Sequence, residues 1–444
     1  MKGQGRLEVR AGALLAVVTA LVVAACGGSS ESTAAPGGSA PPAAAAESIT
    51  AWVNSAEAQP LKDMYARFTE ESGIKVDVVS FPSDGFETAV MQRWASGDRP
   101  DVLEWHANYN WLVAINPKET LRDLSAEPFA SAQVGGITAG LDGVTYGVVL
   151  NTPTAFGLYY NKPLFERLGL TPPTTADEVL ATCLAIKKAD PTIAPLREYA
   201  GSKWTPLVAH GAYQADALAA GFMDKLIARE VKVNDPDSPW LASLEFYMKL
   251  LDNGCFNADI LTAQFETAGS DLLDGTAAMV SMHTGLVQQA LDASDVATVD
   301  ETIGWTPWAG SKPVVTVEYS PIGTYYLPKT GNAGREAAAL QFMTFMTGPA
   351  YADYVEAAAM IPTLKDVPTP DGIPAPMLQI QEAVTKDGTA NPIWVVLPGI
   401  TDLVNYPGQL INGDLTPQSA VDLLQKQAEQ GAKAANLPRG RRPY

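Results

Sequence analysis

The sequence predicts an α/β chain folded as two lobes, and three observations carry that expectation. The first is length: 444 residues are too many for one ordinary core and enough for two domains of typical size. The second is a strand, helix, strand succession over residues 49–81, the βαβ unit of a parallel sheet with a right-handed crossover. The third is the stretch 145–170, TYGVVLNTPTAFGLYYNKPLFERLGL. Two extended apolar runs, 146–150 and 155–160, flank Asn151-Thr152-Pro153, and the second run ends abruptly in a helix. A strand of that kind lets the chain leave one layered unit and begin another.

The N-terminus has secretory grammar. Lys2, Arg6 and Arg10 precede an apolar run over 11–23 that is too short for a comfortable membrane span. Leu21-Val22-Val23-Ala24-Ala25-Cys26 resembles a bacterial lipobox, which makes Cys26 the expected lipid attachment site. Residues 27–47 are Gly, Ser, Pro and Ala with almost no large apolar side chain, a tether rather than a fold. Several acyl chains on one cysteine would hold the protein to a bilayer. The whole chain carries a formal charge of −19. Loss of Lys2, Arg6, Arg10 and Glu8 with residues 1–25 takes it to −21. So acidic a chain argues against nucleic acid as a partner and against a polybasic hold on anionic lipid. Cys183 and Cys255 remain once Cys26 is spent. In an oxidising exterior they suggest one disulfide, although Cys183 also lies on the apolar stripe of its helix, where a buried thiol would fit.

Taken in order, residues 49–53 form a strand that ends at Asn54-Ser55-Ala56-Glu57. Leu61, Met64, Tyr65 and Phe68 then mark one helical face, stopped by Gly73. Residues 74–81 return as a strand, and 86–95 form a second helix. Pro100-Asp101-Val102-Leu103-Glu104 is a buried-type strand running into Trp105–Trp111. The second lobe opens at Lys162. Thr175-Ala176-Asp177-Glu178 is a capping box, with Val179, Leu180, Cys183 and Leu184 as the stripe behind it. Helices are expected around 215–229 and 239–251. Leu272-Leu273-Asp274-Gly275-Thr276-Ala277-Ala278-Met279 reads as helix end, turn and strand. Residues 303–307 are expected to cross back to the first lobe. Residues 335–347 form a helix, and 358–364, with Pro362, a third crossing. Thr416 caps a last helix, with Pro417 at its first position.

Enzyme signatures are missing. The chain has no HExxH, no GxSxG and no GxxxxGK[ST] loop. Its three histidines, His106, His210 and His283, lack zinc-ligand spacing. No catalytic residue, metal or cofactor is therefore expected. Ligands of open α/β sheets sit beyond the carboxyl ends of strands. That rule selects Asn54, Ser55 and Glu57, then Trp105 and Asn108, then His283, joined by loops that hold Trp204, Tyr319 and Trp394. Flat aromatics beside planar polar groups suit pyranose rings, which have apolar faces and a hydroxyl rim. Paired tyrosines, Tyr159-Tyr160 and Tyr325-Tyr326, would be the ferric alternative. Adjacent strand residues face opposite ways, so each pair should give one inward and one outward ring.

A family resemblance rests on several of these segments in order. They are the Gly97–Leu103 strand entry, Leu112–Leu124, Tyr146-Gly147, Leu158-Tyr159-Tyr160-Asn161-Lys162, Gly169–Glu178, Leu272–Met279 and Gly413–Ala420. Together they resemble the family 1 extracellular solute-binding proteins, the sugar-binding subunits of ABC importers, over residues 49–435. The resemblance implies a two-lobe periplasmic-binding-protein-like fold of class II. It further implies a carbohydrate ligand, ABC permease subunits as partners and a monomer lipid-anchored outside the cell membrane. The implied segments are a signal peptide over 1–25 and a tether over 26–47. The first lobe would take 48–157 and 306–358, the second 158–305 and 359–437, and a tail 438–444. Trp105 and Trp204 match aromatic positions of the family. Asn108 stands where relatives often have an acid, and His283 where many have tryptophan. The alternatives are a subunit for glycerol phosphate or a polyamine, the latter needing cleft carboxylates such as Glu57 and Glu104, or a secreted carbohydrate-active enzyme.

Overall fold

The structure, a computed structural model, describes residues 46–434 except 84, 135, 136, 138 and 393–402. The expected signal segment, Cys26, nearly all of the tether, Trp394 and the tail lie outside the described residues. Before residue 150 the strands are β1 (Ser48–Asn54), β2 (Lys75–Phe81), β3 (Val102–Glu104), β4 (Ala139–Leu141) and β5 (Val144–Val149). After it come β6 (Thr154–Asn161), β7 (Ala194–Leu196), β8 (Ala277–His283), β9 (Ile303–Thr306), β10 (Val315–Glu318), β11 (Thr324–Tyr326) and β12 (Thr389–Ala390).

These strands make two sheets, each flanked by helices, an α/β fold of two lobes. The first has the order β2-β1-β3-β11-β5-β4. β1 is parallel to β2 and β3, as the βαβ reading requires. Between β1 and β2 runs helix Gln59–Ser72, which buries Leu61, Met64, Tyr65 and Phe68 and stops at Gly73 with φ +73°. The second sheet has the order β12-β10-β6-β8-β7. β6 is its organising strand. It pairs with β8 along one edge, and with β10 and then β9 along the other, antiparallel throughout. Helix Ala176–Ala189 carries the capping box, with both Thr175 and Glu178 bonds formed. A disulfide joins Cys183 on this helix to Cys255.

The chain changes sheets three times. It leaves β5 for β6 at 150–153, returns from β10 to β11 at 319–323, and passes from helix Pro349–Ala357 on the first lobe to helix Ala375–Asp387 against β9. The return is later than the sequence suggests. Residues 303–307 hold β9, which stays in the second sheet because its four buried residues fill the open edge of β6 beside Leu158–Asn161. The expected return at 305/306 therefore moves to 319–323 and the exit at 157/158 to 150–153, while 358/359 falls inside the third connection. The three connections bond to one another. The Leu150 N–H donates to Gly323 O at 2.7 Å, Thr152 Oγ1 to Ile361 O at 2.7 Å, and Tyr351 OH to Leu150 O at 2.8 Å.

A second departure concerns the helix expected around 215–229. It begins at Thr205 and runs to Ala217, then continues through a wider turn with a kink at Gly221, φ +92°. Nearly every side of Thr205–Ala217 is buried, so it has no polar face against which a stripe could be read.

Candidate functional site

A cavity of about 520 Å³ opens where the carboxyl ends of β8 and β10 meet the start of β6. That is within the range of small-molecule sites. Phe156, Trp204, Val208, His283 and Glu318 are among its walls. Strand pairing places them: Phe156 lies opposite His283, and Thr154 opposite Glu318. The Trp204 ring stacks on the His283 ring, 5.1 Å between centroids and 19° between planes. Phe265 stands edge-on to Trp204 at 5.0 Å and fixes the pair from the side.

His283 is held in one tautomer. Its Nδ1 accepts from the Gly285 N–H at 2.9 Å, so Nε2 carries the proton and is the free donor. Burial pushes its pKa down to about 4, so the ring is neutral across the physiological range. Gly285 allows this approach, since a Cβ there would fall 2.5 Å from His283 Cε1. Among the described residues that line the cavity, Glu318 is the one charged side chain, and none is Lys or Arg.

The first lobe contributes a second ring pair beyond β3. His106 stacks on Trp111 at 5.4 Å and 17°. His106 Nε2 bonds Glu87 Oε1 at 2.7 Å, and that bond holds the Glu87 carboxyl below its ordinary range. The loop is tied to the connection beside the cavity. Asn108 Nδ2 donates to Tyr319 O at 3.1 Å, and the Tyr319 N–H donates back to Asn108 Oδ1 at 3.4 Å.

Trp204 and His283 are the two sequence-selected residues that the structure brings together in the cavity. The others have different work. Trp105 is fully buried, its Nε1 bonded to Trp111 O and its ring packed on Phe86. The inward run of β3 continues through it, and the partly exposed rings of this segment are His106, Tyr109 and Trp111. Asn108 spends its amide on the Tyr319 backbone, and Tyr319 itself is buried. Asn54 is buried, and its Oδ1 accepts from the Ala56 N–H and from Ser83 Oγ. Ser55 is exposed and accepts from the Ser83 N–H.

Glu57 sits in a cage of tyrosines rather than in a cleft. Tyr65 OH and Tyr325 OH both donate to it. Beside it Glu104 takes the Asn54 and Gly323 N–H groups at 2.7 and 2.8 Å. Burial raises both carboxyls, Glu104 further because Glu57 is its neighbour. Neither is available to a polyamine. The second tyrosine pair is no cleft feature either. Tyr325 and Tyr326 are both buried, in cores on opposite faces of the same sheet, because helices cover both sides.

Phe156, Phe265, Glu318, Glu87 and Trp111 escaped the sequence reading. Glu318 precedes Tyr319 and ends a strand, so the strand-end rule would have found it had β10 been placed in the second sheet. Glu87 bonds His106 from a helix, where no strand-end rule applies.

Residues 45–353 match the family model described as bacterial extracellular solute-binding protein. An ABC transporter extracellular-binding protein of Pyrococcus horikoshii is 26% identical over 254 residues, 55% of this chain and 58% of that one. The melibiose/raffinose/stachyose-binding protein MelE of Bacillus subtilis is 27% identical over 136 residues, 30% and 31% of the two chains. The chain thus spans between about a third and three fifths of the curated relatives that it matches. A binding protein of Bacillus subtilis solved in an open conformation has the same fold, at TM-score 0.73 and 20% identity over 88% of this chain and 99% of that one.

Proposed function

We propose that this chain, which belongs to the bacterial extracellular solute-binding protein family, captures a neutral saccharide between its lobes and delivers it to an ABC permease. The observation that carries this reading is the neutral Trp204–His283 stack in the 520 Å³ cavity. An aromatic plane suits the C–H face of a pyranose, and the fixed Nε2–H of His283 with the Glu318 carboxylate suits its hydroxyls. The sugars named for MelE, melibiose, raffinose and stachyose, are the first to try. Glycerol phosphate is disfavoured, since the described lining has no cation. A polyamine is disfavoured because Glu57 and Glu104 are enclosed in the core.

Closure about the three connections is the mechanism. A ligand that touches both ring pairs only when the lobes meet binds the closed form better, and its differential affinity shifts the equilibrium. The permease would then recognise the closed outer surface. No bond is made or broken, so no catalytic residue is assigned. Cys26 is the expected anchor to the outer face of the membrane, and Cys26→Ala should release the protein into the medium.

Titration calorimetry with these three sugars tests the site. Binding to the native chain, lost in Trp204→Ala, is the expected result. Full affinity in Trp204→Ala would place the ligand elsewhere.

A further inference from the structure

Trp204 is presented by a short bent loop between β7 and helix Thr205–Ala217. Lys203 adopts φ +61°, a conformation that a lysine rarely holds unaided. The Trp204 N–H reaches back to Ser202 O at 2.7 Å, and Ser202 Oγ in turn accepts from the Phe265 N–H at 2.9 Å. The two ends of the loop converge on a single atom. Glu198 Oε1 accepts from the Tyr199 N–H at 2.7 Å and from Thr205 Oγ1 at 2.8 Å. Thr205 is the residue next to Trp204. Glu198 is 4% exposed, is not among the residues lining the cavity, and is itself held by Asn257, whose Oδ1 accepts the Glu198 N–H at 2.8 Å.

We propose that Glu198 is a positioning residue for the ligand site, whose carboxyl clamps both ends of the Trp204 loop and so sets the Trp204 ring against His283. The proposal rests on Trp204 being the sugar platform, and it adds a control that a purely structural clamp would lack. Among the described residues no cation faces the carboxyl. The Tyr247 hydroxyl faces it from helix Pro239–Asp252, and Thr205 from its own helix. On that helix the His210 ring lies tilted against Tyr247, 4.9 Å between centroids, and is kept neutral by burial. Asn257 covers the chain beside it, and Arg197, the preceding residue, is engaged with Asp259 and Asp271. Unpaired and enclosed, the Glu198 carboxyl is pushed up to about 7.

Near neutrality Glu198 therefore exchanges a proton. As a carboxylate it makes charge-assisted bonds to its two donors, about twice as strong as those of a neutral acid. The loop tightens as pH rises through 7. Global stability moves the other way. The folded pKa lies above the ordinary carboxylate value, so the native state binds more protons than the unfolded state from about pH 4.5 to 7, and stability falls as pH rises through that window. A residue that served only to hold the fold together would move loop and global stability in the same direction.

The test uses the full-length chain without ligand. Acrylamide quenching of Trp204 is read as the difference between each protein and its own Trp204→Phe partner, from pH 5.5 to 8.5. In the native chain the quenching constant should fall about twofold with a midpoint near 7. Glu198→Gln keeps an acceptor oxygen but cannot titrate, and should be flat. Glu198→Leu should be quenched strongly at every pH; if it fails to fold, Glu198→Gln decides alone. A native profile without a step, or a step that persists in Glu198→Gln, overturns the proposal. Sugar binding by Trp204→Ala tests the platform itself, so the two claims fail separately.

Discussion

Among single residues, the proposed site turns on Trp204 and His283. In the proposed site Trp204 supplies the aromatic plane for the sugar. Trp204→Ala should weaken saccharide binding by about 2 kcal/mol or more, roughly thirtyfold, measured by calorimetry. His283 gives a pH signature. Its folded pKa of about 4 is depressed by burial, so below about 6.5 the unfolded chain takes up a proton that the native chain refuses. The stability tied to neutral His283 is complete above that value and is lost as pH falls toward 4. Denaturant midpoints of His283→Gln should fall less steeply than those of the native chain between pH 6.5 and 4; equal slopes would show that His283 is already solvated. These two residues were legible because each follows an abrupt change of pattern, a strand end or a Gly-Ser-Lys loop. Trp105 was misread because burial does not stop where the strand's hydrogen bonds do. The side chain after Glu104 still points into the core, and the partly exposed rings are those of His106, Tyr109 and Trp111.

At the scale of the element, the connections and the disulfide are the testable parts. Gly323 has φ +78°, and a Cβ there would fall 2.5 Å from Asn151 Cγ on the neighbouring connection. Gly323→Ala should cost about 1–3 kcal/mol in denaturant unfolding, and it should alter binding as well because it distorts the hinge. The Cys183–Cys255 bond closes a loop of 72 residues. Replacing both cysteines by alanine should lower stability by about 4 kcal/mol and leave saccharide affinity unchanged, since neither cysteine lines the cavity. Amphipathic elements were readable from the sequence: the stripe of Gln59–Ser72 and the capping box of Ala176–Ala189 stand as the residue pattern says. Elements buried on all sides were not. Helix Thr205–Ala217 and strand β9 present no polar face, so their start and their sheet are decided by what covers them.

At the scale of the whole molecule, the sequence foretold two α/β lobes with several connections, and the structure has that arrangement. What it placed wrongly was the return, because β9 and β10 pair with β6 before the chain leaves. Partner choice between strands is a long-range matter that local pattern does not encode. The two ring pairs, His106–Trp111 on one lobe and Trp204–His283 on the other, and the bonded connections between lobes define the central claim: a neutral sugar is gripped by closure. Thermal unfolding of the purified chain tests it most directly, against melibiose, raffinose, stachyose, glycerol phosphate and spermidine. A ligand at a hundred times its dissociation constant stabilises by about 2.7 kcal/mol. A raised midpoint is expected with at least one neutral sugar and none with the charged solutes. A rise with glycerol phosphate or spermidine alone would contradict it.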